Sequence, residues 1–127
     1  MLMTAGAIAS IAVPARAADH RTFVAAAFDM KGKAVRAGDQ PYGAVVVRSG
    51  DIVGFGPSRV RELGEWVGHA EREAMRDAQR RLGRDDLSDC VMYSSSRPCG
   101  TCERAAAQAK LARMYHGPDA TDAGAPR

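Results

Sequence analysis

The 127-residue sequence is expected to form an α/β fold built on a layered sheet, and three observations carry that expectation. Helical and extended patterns alternate from about Asp19 to His116. A β-branched run, Ala44-Val45-Val46-Val47, meets a Ser49-Gly50-Asp51 turn and returns through Ile52 and Val53, as a hairpin would. An alanine-rich helical stretch, Ala105 to Ala109, then separates two short strand-like segments. The length suits one compact domain and is too short for two.

The elements follow in order. Leu2 to Val13 is an apolar run of small residues, and Pro14-Ala15-Arg16-Ala17 follows it in the A-x-A layout of a secretory signal. Met1 to Thr4 lack the basic residues that open such a segment. Residues 1–18 therefore read as a signal peptide or an N-terminal extension, the competing reading being a helix laid on the domain. The signal reading tilts the location toward exported or periplasmic, with cytoplasmic as the alternative. From His20 to Ala37, the spacing of Phe23, Val24, Ala27, Phe28 and Lys31 predicts an amphipathic helix that stops at Gly38-Asp39. The hairpin comes next, and Pro57 to Gly68 has no clear period and reads as a loop. A second helix is expected from His69 to Leu82-Gly83, with Ala70, Ala74, Met75 and Ala78 inward. Asp89 to Ser94 reads as a third strand, Cys99 onward as a third helix, and Leu111 to His116 as a fourth strand. Residues 19–117 thus form the folded domain, and residues 118–127 read as a polar, disordered tail.

Composition narrows the function classes. The formal charge is +3, and the basic residues from Arg72 to Arg81 are interleaved with acids, as on a solvated helix face. Nucleic acid is thereby possible as a partner but not favoured. Three cysteines, an odd number, do not suggest a disulfide framework. Cys90 sits inside a strand pattern and reads as a small buried residue. Phe23, Phe28 and Tyr42 are expected in the core, as are Met75, Met92 and Met114. The apolar N-terminal run is too short to hold the mature chain in a bilayer.

Two short motifs carry chemistry: Gly68-His69-Ala70-Glu71 and Pro98-Cys99-Gly100-Thr101-Cys102. A C-x-x-C at a helix start places two sulfurs on one face, where free N–H groups and the helix dipole favour thiolates. His69 adds an imidazole from the start of another helix, and zinc accepts both donor types. Three ligands leave one position open, whereas a structural zinc site would be closed by a fourth. Two thiolates and a neutral imidazole cancel the metal's charge and limit how far it can acidify water. A carboxylate beside it compensates, and Glu71 stands two residues from His69. The order H-x-E…P-C-x-x-C is a known signature of zinc deaminases acting on nucleobases.

With these motifs and Pro41-Tyr42-Gly43-Ala44-Val45-Val46-Val47, the chain resembles the cytidine and deoxycytidylate deaminase superfamily. The branch it most resembles holds guanine deaminases and tRNA adenosine deaminases. The resemblance spans roughly residues 20 to 117. It implies a three-layer α/β/α sandwich with a mixed central sheet, one zinc per subunit and a homodimer. It also implies hydrolytic deamination of a guanine- or cytosine-type nucleobase or nucleoside, with adenosine in tRNA or a silent zinc-binding remnant as alternatives. Glu71 would shuttle the proton, and the Ala70 N–H would bind a ring carbonyl of the substrate. Ser58 stands where relatives commonly carry a substrate-binding Asn, and Arg97 where a Glu is frequent. Relatives also continue past the fourth strand into a further strand and helices.

Overall fold

The computed structural model describes residues 16–127, so the run from Leu2 to Val13 lies outside the described residues. The first helix, α1, spans Arg16–Arg36. It begins four residues before the expected start, because Ala17-Ala18 continue a favourable helical stretch into the A-x-A segment. From His20 onward its buried residues are Phe23, Ala27 and Ala34. Gly38 closes it in the left-handed region (φ 79°), with its N–H on the Val35 carbonyl and that of Asp39 on Ala34.

Strand β1 (Gly43–Arg48) and strand β2 (Asp51–Pro57) form the expected hairpin. A four-residue helix, α2 (Val60–Leu63), then occupies part of the stretch expected to be loop. Asp39 starts it by accepting the backbone N–H groups of Val60 and Arg61. Helix α3 covers Ala70–Leu82 and strand β3 Cys90–Ser94. Helix α4 (Gly100–Gln108) and strand β4 (Arg113–His116) complete the expected alternation.

One element was not expected. The segment read as a disordered tail holds a fifth strand, β5 (Thr121–Gly124), antiparallel to β4. A turn at Gly117 brings it back, and Arg113 binds the Asp122 carboxylate from across the pair.

The sheet order is β2-β1-β3-β4-β5. β1 runs antiparallel to both β2 and β3, so those two strands share a direction, and β4 runs parallel to β3. The sheet is therefore mixed, as expected. β1 is buried from Gly43 to Val47, as a strand covered on both faces must be. Its alternate residues serve different cores. Ala44 and Val46 meet α3, α4 and Leu87, together with Met75, Met92 and Met114. Val45 and Val47 meet Phe23 and Ala27 of α1, together with Tyr93. Cys90 is fully buried in the first of these cores. Tyr42 corrects the sequence reading: it is 43% exposed and belongs to no core.

Candidate metal centre

β2 and β3 end at the same edge of the sheet, and α3 and α4 start where those strands end. Their N-termini therefore converge. His69 is the residue just before α3, in extended geometry (φ −58°, ψ 143°). Cys99 holds the same place before α4 (φ −75°, ψ 169°), and Cys102 follows in the first turn.

His69 Nδ1 lies 3.3 Å from Cys102 Sγ and 3.6 Å from Cys99 Sγ. The three donor atoms all lie within 4.8 Å of one another. A tetrahedral zinc with ordinary Zn–N and Zn–S bonds has an N···S edge of about 3.6 Å. The residues fit that ion. Among the described residues no fourth His, Cys or carboxylate joins the group.

The two sulfurs differ in acidity. The Cys99 thiol is brought down to about 7: burial opposes this, but Thr101 Oγ1 at 3.1 Å and the Cys102 N–H outweigh it. Burial first, then the nearby Glu71 charge, pushes the Cys102 thiol well up. For His69, burial disfavours the cation, yet hydrogen bonds to Glu65 and Cys99 win and raise its pKa. Glu71, only 7% exposed on the first turn of α3, has its carboxyl raised by burial, against a hydrogen bond with Cys102.

A cavity of about 450 Å³ opens onto this centre. Gln40, Pro41 and Tyr42 line it from the approach to β1, and Ser96, Arg97 and Cys99 from the β3–α4 loop. Glu65, His69, Ala70 and Glu71 form the remaining wall. The volume lies in the range of small-molecule sites. The N–H of Ala70, in the first turn of α3, has no intrahelical partner and is free for a ligand acceptor.

Five of the six expected site residues are thus brought together: His69, Ala70, Glu71, Cys99 and Cys102. Ser58 is not. Its buried hydroxyl donates to Asp39 Oδ1 at 2.9 Å, and it does not line the cavity. Tyr42 and Glu65 were missed as site residues. Tyr42 hid in an apolar-looking lead to β1. Glu65 carried a usable signal, a spacing of four from His69, but in a stretch with no helical period. Trp66 is a surface residue, 63% exposed, its ring centre 6.5 Å from that of His69.

Residues 17–117 match the cytidine and deoxycytidylate deaminase zinc-binding region. The chain is 35% identical over 106 residues to a guanine deaminase of Bacillus subtilis, covering 83% of this chain and 68% of that protein. It is 34% identical over 85 residues to a tRNA-specific adenosine deaminase of Agrobacterium fabrum, covering 67% of this chain and 56% of that one. The X-ray structure of the Bacillus subtilis guanine deaminase superposes with a TM-score of 0.73 at 34% identity, over 77% of this chain and 63% of that chain. A structure from studies of tRNA:A34 deaminases gives 0.74 at 30% identity, over 77% of this chain and 75% of that chain. The chain therefore spans between about half and three quarters of these relatives.

Proposed function

The chain belongs to the cytidine and deoxycytidylate deaminase family, and on that premise we propose that it is a zinc-dependent hydrolytic deaminase of a guanine- or cytosine-type nucleobase or nucleoside. The observation that carries this reading is the meeting of His69 Nδ1 with both thiol sulfurs at zinc-like separations, beside a buried Glu71. His69, Cys99 and Cys102 would hold one zinc per subunit, which supplies a Lewis acid to activate water.

The chain's own groups account for the rest. Glu71 accepts the proton that water loses and delivers it to the ring nitrogen next to the reacting carbon. It then helps the amino group leave as ammonia, so water and amine become carbonyl and ammonia. Burial suits Glu71 to this work, since a raised pKa brings a carboxyl closer to the working pH of a proton shuttle. The Ala70 N–H binds a ring carbonyl, and the exposed Tyr42 ring offers an apolar wall for a flat base. Assembly as a homodimer is the arrangement the family resemblance implies.

The distribution of charge supports a small substrate over tRNA. Arg59 and Arg76 pair with Glu73, Arg80 and Arg81 with Asp77, and Arg48 and Arg84 with Asp89. Cations interleaved with acids in this way do not form the concentrated basic face that nucleic-acid binders present.

An ammonia-release panel tests the reading, with zinc-loaded protein offered guanine, cytosine, cytidine, adenosine and a tRNA anticodon stem. Release from a guanine- or cytosine-type compound is expected. Glu71→Gln should lower that rate by about 10²–10⁴-fold while zinc stays bound. Release from the tRNA stem alone would move the assignment to tRNA adenosine, and silence throughout would overturn the deaminase reading.

A further inference from the structure

We propose that Glu65 is the positioning residue of the metal centre, holding the Nε2–H of His69 so that bare Nδ1 faces the two sulfurs. The proposal rests on the zinc reading above. A neutral imidazole carries one N–H, and either nitrogen can bear it. Only the tautomer with the proton on Nε2 leaves Nδ1 able to bind a metal. Glu65 Oε2 lies 3.0 Å from Nε2, on the side of the ring opposite the sulfurs. An acceptor that stabilises this N–H selects the metal-binding tautomer and fixes the ring's orientation.

The loop that carries Glu65 is built to keep it there. The Gly68 N–H bonds the Gly64 carbonyl at 2.9 Å, closing residues 64–68 into one turn. Gly64 has φ 97°, a conformation that side chains strain to adopt. Gly68 admits no side chain, since a Cβ there would lie 2.5 Å from the Arg59 backbone. The Arg59 N–H also bonds the Gly68 carbonyl at 2.8 Å. Two glycines and two backbone bonds thus set Glu65 one turn before His69. The nearby Glu62 is taken by Arg59 at 2.8 Å, which leaves His69 to Glu65.

The test measures zinc affinity by competition with a chromophoric chelator, in the full chain and in Glu65→Ala, Glu65→Gln and Glu62→Ala. Glu65 is more than half exposed, so the lower end of the usual effect applies: Glu65→Ala should weaken zinc binding roughly 10-fold. Glu65→Gln keeps an oxygen acceptor and should recover most of the affinity. Glu62→Ala removes the same charge from the adjoining helix α2 and should change little. A second readout is the tautomer of His69 by nitrogen NMR in reduced, metal-free protein, above the pH at which the ring loses its charge. The Nε2–H form should dominate in wild type and give way to a mixture in Glu65→Ala. Equal zinc affinity in wild type and Glu65→Ala, or the same tautomer populations in both, overturns the proposal. A wild type that takes up no zinc overturns the deaminase reading instead, and the tautomer spectra then judge Glu65 by themselves.

Discussion

Cys99 and Cys102 sit one helical turn apart, yet they meet different surroundings. Cys99 is exposed and brought down to about 7, whereas Cys102 is buried and pushed up. Burial also raises Cys90, to about 11. Near neutral pH a limiting dose of iodoacetamide should therefore label Cys99 at least roughly 10-fold faster than either other thiol in metal-free protein. Arg97 precedes Pro98, so all three thiols lie on the tryptic peptide Asp85–Arg104. Fragmentation of that peptide by tandem mass spectrometry reads the order, and zinc should suppress the Cys99 adduct. Glu71 leads to a prediction about stability. Its folded pKa lies above the unfolded value because burial disfavours the charge. The fold's advantage from this group is complete below the unfolded pKa and is lost as pH rises through the folded one. Metal-free Glu71→Gln should then melt higher than wild type near neutral pH, with the gap closing in acid. Thermal scans at several pH values measure it. His69, Glu71, Cys99 and Cys102 were legible because their chemistry lies in residue type and short spacing. The surroundings of Ser58 were not legible, because only the folded chain brings Asp39 to its hydroxyl.

Elements meet here through missing side chains. A Cβ on Gly56 would stand 2.1 Å from the Ala70 carbonyl oxygen, and one on Gly54 would stand 2.3 Å from that of Ala74. Helix α3 thus rests directly on the backbone of β2, and His69 and Glu71 take their positions from that contact. Gly56→Ala should cost about 2 kcal/mol or more and weaken zinc binding, because it lifts the first turn of α3. Gly50→Ala is the contrast. Its φ is 83° with open space around it, so it should cost about 1 kcal/mol and leave zinc affinity alone. Urea unfolding and chelator competition on both variants separate the two effects. Periodicity made the hairpin, α3, β3 and α4 readable. β5 was not readable, because Thr121–Gly124 shows no apolar alternation and pairs only where β4 offers an edge. The same limit applies to the early start of α1, where helix propensity and the layout of an export signal compete over the same alanines.

For the whole molecule, the centre ties the start of α3 to the start of α4, two helices that pack on one face of the sheet. A metal that binds the folded chain alone stabilises it by mass action. Free zinc at about 1,000 times its dissociation constant should add about 4 kcal/mol, which raises the melting temperature by roughly 10 °C or more. Chelator should reverse the shift, as differential scanning calorimetry can follow. The α/β class could be read from alternation alone, since local patterns report what each segment is. The order of the strands could not, because pairing is decided by partners distant in sequence, such as β1 with β3.

The common direction of β2 and β3 has a practical corollary. Strand β2 begins at the Ser49–Gly50 turn and ends beside the cavity, seven residues later, or roughly 20 Å away. A tether, dye or affinity handle inserted at that turn would sit on the far rim of the sheet. Protein immobilised there would present its cavity to solution, so binding and turnover could be followed on a surface without touching the chemistry.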